Sequence, residues 1–387
     1  MTTVAFVFFW ASIALIVYTY AGFTVLLALR ARFFPKPVQR GAETPSVSLI
    51  IAAYNEADVI ADKIANCLGL DYPQDKIEII VASDGSSDGT NEIVSGIESP
   101  LVKFMPLPRQ GKNRTVNTAV PAATGDILVF SDADSMLGKD ALRHLVAPFA
   151  DPNVGGVGGD YRYDTEVAEG DGERTYWGFD RILKHWQSEG GSMTSATGQI
   201  YAIRRELFSP VPSSVTDDFY NSTQAPAAHK RLIFEPRAVA RGPVAGSSAS
   251  EYRRKVRIIT RGFNSVWQMR RMLNPLQYGF YAIQLFTHKI LRRLAAVPLI
   301  AILIATPFLW DSGWLYKLAL LGQIGLYGGA VAGLVLRNTK LGNNKLVSLP
   351  LFFCMVNAAG LVAFFNLLRG KRYDVWTAER AETPQQA

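Results

Sequence analysis

The chain has 387 residues, 49% of them hydrophobic and only 19% charged, with a formal charge of +7. That balance is too apolar for an ordinary soluble enzyme and too polar for a protein buried in a bilayer throughout, and the length suits two or three structural regions rather than one small domain. The basic residues crowd beside apolar segments, which points to anionic lipid heads and phosphorylated substrates and away from nucleic acid; the two cysteines, Cys67 and Cys354, are too far apart to suggest a disulfide framework or a metal cluster.

Residues 4–29 carry no charged side chain, and at ~1.5 Å per residue they can cross a ~30 Å hydrocarbon core. Arg30, Arg32, Lys36 and Arg40 follow at once, so the positive-inside rule leaves the next region in the cytoplasm. A cleaved signal peptide would carry its positive charge before a shorter apolar stretch. A Pro-containing linker, 33–46, leads to a globular region. There, Val47 to Ala52, Ile77 to Val81, a short 101–105 segment and Ile127 to Phe130 read as buried strands. Helical spacing separates them over 57–69, 90–97 and 111–123, a βαβαβαβ order that predicts a doubly wound parallel sheet. Beyond it, 174–189 has the spacing of a surface-lying or core-facing helix. Residues 251–273 and 276–293 set apolar stripes beside Arg254, Arg257, Arg261, His288, Lys289, Arg292 and Arg293, as interfacial helices do. Three apolar runs follow, 294–310, 318–336 and 346–368, and then a polar tail, 369–387. If all three cross, the C-terminus lies outside, whereas Arg369, Lys371 and Arg372 favour inside. The expected regions are an N-terminal span at 1–32, a cytoplasmic α/β domain at 46–245, basic amphipathic helices at 246–293 and C-terminal spans at 294–368.

The polar residues gather where strands end, which is where open α/β sheets bind ligands. Ser131-Asp132-Ala133-Asp134 closes the fourth strand, and two carboxylates at that spacing suit a hard divalent cation that also holds a phosphate, although Asp is also common in plain turns. Oxygen-only ligation suits Mg²⁺ or Mn²⁺. Asp84, in Ser83-Asp84-Gly85-Ser86-Ser87-Asp88-Gly89-Thr90, offers an acceptor for a base N–H, and Lys112 a charge for a diphosphate. Asp217 and Asp218 form the last acidic site, and Asp218 is the candidate general base for a sugar hydroxyl.

In combination these motifs, with Ala53-Tyr54-Asn55-Glu56, Gly111-Lys112 with Asn117, and Thr216-Asp217-Asp218, resemble the membrane-bound family-2 glycosyltransferases, the group containing cellulose, chitin and hyaluronan synthases. The resemblance implies a GT-A domain joined to transmembrane and interfacial helices, with Tyr54, Glu56 and Asp84 at the base and ribose. It also implies Lys112 and Asp132 at the nucleotide, Asp134 as main metal ligand with Asp132, and Asp218 as catalytic base. Thr197 and Gly198, with Asp217, would sit at the acceptor. The activity implied is inverting transfer from a UDP-sugar to a growing polysaccharide, or in single additions to a lipid-linked glycan, at the inner membrane. One departure stands out. The processive members carry Gln-x-x-Arg-Trp, and the best match here is Arg254-Lys255-Val256-Arg257-Ile258, in which Arg254 stands for the Gln and Ile258 for the Trp while Arg257 is kept, with Arg254 and Arg257 the candidates for a diphosphate. An inactive assembly partner would have no need of Asp218, and a transporter would carry ionisable residues inside its apolar runs.

Overall fold

The computed structural model describes residues 2–163, 171–243 and 248–371, except 338, 340 and 343, together with 373; the side chains of 163, 171–177 and 248–251 are not described. The tail beyond 373, the expected boundary at 245 and 246, and the Trp177 side chain lie outside that description.

Eight strands form one sheet: β1 Val47–Ala53, β2 Ile77–Asp84, β3 Val102–Leu107, β4 Ile127–Phe130, β5 Met136–Leu137, β6 Val154–Tyr163, β7 Tyr201–Arg204 and β8 Arg231–Gly242. Their order is β3-β2-β1-β4-β7-β6-β8-β5. The first four are parallel, with Val47 opposite both Ile77 and Ile127. Both faces of this half are covered. Leu49, Ile51, Ile79 and Val129 point to one core with Ile60 and Ile64 of the Ala57–Leu68 helix, and Ile50, Ile80 and Leu128 point to the other with Val116 of the Lys112–Ala119 helix. Burial on both faces is why these strands read as unbroken apolar runs.

The second half extends this expected parallel half with strands of mixed direction. β7 pairs antiparallel with both β4 and β6, and β5 antiparallel with β8, while β6 and β8 are parallel. Strand β6 is the Gly155-Gly156-Val157-Gly158-Gly159 stretch, whose glycines let neighbours in closely: a Cβ on Gly159 would lie 2.5 Å from the Ala238 carbonyl oxygen. The mixed half places the 192–200 loop and the Asp217–Ala227 helix beside the end of β4.

The helix Thr2–Val17 continues through a π turn, Tyr18–Gly22, into Phe23–Phe33, and the whole is long and apolar enough to cross a membrane. Trp314–Val335 and Lys345–Leu368 also are. The 294–310 run is a shorter helix, Ala296–Ala305, then a 3₁₀ segment, Thr306–Ser312, that joins Phe280–Leu294 at a 49° bend.

Two amphipathic segments differ from simple surface helices. Asp171–Glu189 docks on the N-terminal helix, with Leu183 buried among Phe23 and Leu27 and Trp186 packed alongside. Residues 275–294 are not one stripe but short pieces, Pro275–Tyr278, Phe280–Phe286, a π turn at Thr287–Leu291 and a 3₁₀ turn at Arg292–Leu294. Their basic residues turn toward the α/β domain: His288 is buried with Nδ1 3.0 Å from the Thr194 hydroxyl. The Ser248–Gln268 helix lies lengthwise against Lys345–Leu368. Lys255 sits 5.1 Å from the Phe352 ring centre, Phe263 meets Phe364 edge-on at 6.3 Å, and Asn366 donates to Thr260 at 3.4 Å.

Gly125, just before β4, has no room for a side chain, because a Cβ there would lie 2.5 Å from the Ser48 backbone nitrogen. Gly125→Ala is expected to cost about 1–3 kcal/mol, the usual range for overpacking. Thermal unfolding of the detergent-solubilised chain checks this, and an unchanged Tm would show that β1 and β4 can part without penalty.

Candidate active site

The turn after β1 and the loop after β2 lock together. Asn55 adopts φ +53°, its amide donates to the Ser86 hydroxyl at 3.1 Å, and its side-chain oxygen accepts from the Ser87 amide at 2.9 Å. Asp88 accepts from the Ala57 amide at 3.0 Å and from the Thr90 hydroxyl at 2.6 Å, so it serves the start of the Ala57–Leu68 helix from another loop. These bonds outweigh its partial burial and hold its carboxyl below the usual range. Glu56 is buried at the same junction, and its amide donates to Thr90 at 2.8 Å.

Asp84, at the end of β2, is buried and accepts from the amides of Gln110 at 2.7 Å and Gly111 at 3.0 Å, and it is ion-paired with Arg109. The Arg109 guanidinium lies 3.4 Å from the centre of the Tyr54 ring. Tyr54, Asp84 and Arg109 therefore form one unit. Arg109 was not among the residues read from the sequence; the available signal was a cation two residues before Gly111-Lys112. Gly111 sits at φ +92°, a conformation only glycine adopts readily, and that turn aims Lys112 into the site.

Lys112 joins the two acidic centres. Its Nζ is 2.7 Å from Asp132 and 3.3 Å from Asp217. Burial alone would lower its pKa, but Asp132 and then Asp217 raise it above the ordinary lysine value, so it is a fixed cation. The next residue, Asn113, donates to the carbonyls of Pro212 at 2.6 Å and Val215 at 2.9 Å, and Asn117 exchanges two bonds with the Val211 backbone. Arg261 completes the clamp with bonds to the Val215 carbonyl and to Asn113 Oδ1 at 3.1 Å. Arg261 belongs to the basic stripe on the Ser248–Gln268 helix.

Asp217 and Asp218 open the Asp217–Ala227 helix, where the helix dipole favours carboxylates. Their environments differ. Burial pushes Asp217 up, but Lys112 and then Arg261 outweigh it and hold the carboxyl low. Asp218 is raised, first by burial and then by the Asp217 charge. Two adjacent carboxylates driven apart in this way suit two roles, one anion held to a lysine and one proton acceptor.

Asp132 and Asp134 follow β4. Burial and the neighbouring Asp132 charge raise the Asp134 carboxyl, an electrostatic burden that a divalent cation would relieve. The donor set is oxygen only, which fits Mg²⁺ or Mn²⁺. No group of three or more His, Cys, Asp or Glu side chains able to hold a metal occurs among the described residues, so an ion here would be completed by oxygens from a phosphate. Behind the pair lies Lys63, wholly buried, donating to the Ser131 hydroxyl at 2.7 Å and to the Ser135 carbonyl. Burial lowers its pKa, and the charges of Asp132 and Asp134 offset part of that. A lysine in mid-helix gave no sequence signal of this role.

On the far side of Asp218 is a cavity of about 160 Å³ lined by Asp180, Lys184, Ser195, Thr197, Thr216, Asp218, Ile258, Lys289 and Arg293, among others. Thr197 is part of it. Gly198 stands between the two centres: a Cβ there would lie 3.4 Å from Asp132 Oδ2 and 3.8 Å from the Asp218 Cβ. Arg254 and Arg257 are half-buried and lie outside the lining, whereas Ile258 is in it. Trp186 packs on the N-terminal helix instead, and Trp267 is exposed beside Arg270.

Residues 48–211 match the family model described as Glycosyl transferase family 2. The chain carries a family 2 glycosyltransferase domain. Among curated proteins, it is 31% identical over 188 residues to the probable glycosyltransferase YdaM of Bacillus subtilis, covering 46% of this chain and 44% of that one. It is 28% identical to the poly-beta-1,6-N-acetyl-D-glucosamine synthase of Staphylococcus aureus, covering 53% and 51%. With the beta-monoglucosyldiacylglycerol synthase of Trichormus variabilis it shares 34% identity, covering 33% and 28%. The chain thus spans about half the length of these relatives or less. The mannosyltransferase PcManGT of Pyrobaculum calidifontis, solved with GDP-Man and Mn²⁺, superposes with a TM-score of 0.71 at 25% identity, over 94% of this chain and all of that one. The transferase domain is therefore of GT-A type.

Lys63→Met would leave a buried hydroxyl and a buried carbonyl beneath the Asp132 loop without their donor. A loss of about 1–3 kcal/mol is expected from the unsatisfied groups, read as a lower Tm; an unchanged Tm would show that the loop does not depend on this lysine.

Proposed function

We propose that the protein is an inverting membrane glycosyltransferase that moves a sugar from a nucleoside-diphosphate sugar, UDP-linked on the sequence reading, to a hydroxyl of a membrane-borne acceptor at the cytoplasmic face. The observation that carries this is the position of Asp218, between the Lys112–Asp132 centre and a cavity walled by membrane-side helices. In this reading Tyr54, Glu56, Asp84 and Arg109 form the base end of the donor site, and Asp132 and Asp134 hold the cation. When bound, the cation neutralises charge on the diphosphate. Lys112 adds a second positive charge there, Gly198 leaves room between donor and base, and Asp218 takes the proton from the attacking hydroxyl. One displacement at the anomeric carbon turns an α-linked donor into a β product.

Two acceptors follow from the sequence, a growing polysaccharide and a lipid-linked glycan. The second is favoured. The cavity presents Ile258 where the processive pattern has Trp, and its described lining includes cations but no tryptophan to stack on a sugar. The cytoplasmic side is proposed from Arg30 and Arg32, which end the first helix. The long packing of Lys345–Leu368 on the basic Ser248–Gln268 helix supports keeping Arg369 and Lys371 on that side too.

UDP or GDP release by the solubilised chain, with Mn²⁺ or Mg²⁺ and a panel of UDP-sugars and GDP-mannose, tests the reading. Asp218→Asn is expected to lower the rate by ~10²–10⁴, the usual worth of a general base; near-normal turnover would remove Asp218 from that role. Product analysis should show inversion and a single added sugar, whereas a long product would restore the polysaccharide reading. Because the Asp218 carboxyl is raised, activity should fall on acidification at a pH above the usual Asp value of about 3.9. Removing the like charge with Asp217→Asn should move that acid limb to lower pH. An acid limb that stays in place would show that the Asp217 charge does not act on the titrating group.

A further inference from the structure

The cavity beyond Asp218 has a chemistry that sugar transfer to a neutral hydroxyl does not require. Three basic side chains line it, Lys184, Lys289 and Arg293, with two carboxylates, Asp180 and Asp218. Lys184 and Asp180 are paired with each other at 2.8 Å. Lys289 and Arg293 share the lining with Asp218, the carboxylate proposed to be the base. Both lie against aromatic rings, Lys289 5.8 Å from the centre of Phe219 and Arg293 5.7 Å from that of Phe263. None of Tyr54, Asp84, Lys112, Asp132 or Asp134 is in the lining, so this charge sits apart from the donor centre. Its position along the chain matters as well. Arg293 precedes by three residues the apolar helix that starts at Ala296, and Lys289 lies one turn before it. Cations at the entry to an apolar helix stand at the depth of lipid phosphates. The cavity, at about 160 Å³, has room for a phosphate and the first atoms attached to it.

We infer that Lys289 and Arg293, with Lys184 beside them, form an anion subsite for a phosphate group on the acceptor, at the membrane side of Asp218. The inference rests on the transferase reading and names the acceptor's chemical class: a molecule with a phosphate at headgroup depth and its reacting hydroxyl within reach of Asp218. Lys289 and Arg293 bind and orient that phosphate, and they take no part in the proton transfer. Ser195, Thr197 and Thr216 supply hydroxyls along the same wall.

The test uses the full chain in neutral detergent with three probes: geranyl phosphate, geraniol and inorganic phosphate. Affinities are read by intrinsic fluorescence, with UDP–Mn²⁺ binding measured in parallel. Geranyl phosphate is expected to bind at least tenfold more tightly than geraniol. Lys289→Gln and Arg293→Gln are each expected to weaken it by about 10–100-fold, the range for a lost charge-assisted bond, while Arg293→Lys stays within a few-fold of wild type. UDP–Mn²⁺ affinity should be unchanged in all three variants. Geranyl phosphate tighter than inorganic phosphate assigns the subsite to a lipid phosphate; equal affinity for the two supports the subsite and assigns it to a free phosphate. Equal binding of geranyl phosphate and geraniol by the wild type overturns the inference without any variant. A loss of UDP–Mn²⁺ affinity in Lys289→Gln or Arg293→Gln overturns it too, since the cations would then belong to the donor. Failure of the wild type to bind any nucleoside diphosphate with metal counts against the transferase reading instead, and the comparison of the three probes still decides the subsite.

Discussion

A single ammonium group organises this site. Lys112 reaches Asp132 at the end of β4 and Asp217 at the head of a helix that begins 85 positions later in the chain. Each carboxylate is partly buried, and neither would be comfortable there alone. The lysine settles both, and in doing so it ties the strand-end loop after β4 to the helix that opens at Asp217 and Asp218. Asn113, Asn117 and Arg261 surround it with bonds to the 211–215 backbone, so the junction is braced as well as charged. The same ammonium decides which of two neighbouring aspartates bears the settled charge. Asp217 takes it, and Asp218 is left with a raised affinity for protons.

Much of this arrangement was legible in the sequence, for a physical reason. Buried parallel strands must be apolar runs, and the polar residues that end them mark the ligand edge, so Asp84, Asp132 and Asp134 announced themselves by position. Lys112 and Asp218 stand out in the sequence because their types suit the proposed chemistry. What stayed hidden depends on contacts that no local pattern encodes. The antiparallel turn of the sheet at β7 is a choice of neighbour, and a four-residue apolar strand pairs as well in either direction. Lys63 looks like an exposed helical lysine until the Ser131–Ser135 loop closes over it. Arg109 has no motif of its own, yet it ties Tyr54 to Asp84. Lys289 and Arg293 were read as a headgroup-facing stripe because their segment was taken as one helix. The π and 3₁₀ turns that break it rotate those side chains toward Asp218. The stripe that holds Arg254 and Arg257 names a helix face and no partner, and Arg261 on that helix is bonded into the loop ahead of Asp217.

The terminal helices are part of the site rather than a separate anchor. The Asp171–Glu189 helix rests on the N-terminal helix through Leu183, Phe23 and Leu27, and from its other side Asp180 and Lys184 enter the cavity. The Ser248–Gln268 helix is held along Lys345–Leu368 while it contributes Ile258 and Gly262 to the same wall. Two walls of the cavity are thus backed by helices long and apolar enough to cross a membrane, so Asp218 is set relative to those helices by packing and not by a flexible tether.

On the proposed transferase reading, that geometry separates the two substrates by direction. A nucleotide is soluble and must enter where the strand-end loops open, at Tyr54, Asp84 and the Asp132 pair. An acceptor carried by lipid can only arrive from the side where the apolar helices begin, at Lys289 and Arg293. The approaches meet at Gly198, whose missing side chain leaves the gap between Asp132 Oδ2 and Asp218 open. Any larger residue would put a methyl group or more between the departing diphosphate and the attacking hydroxyl. Since such a reaction needs its atoms about 3–3.5 Å apart, the smallest residue in the loop is also the one on which the approach of the two substrates depends.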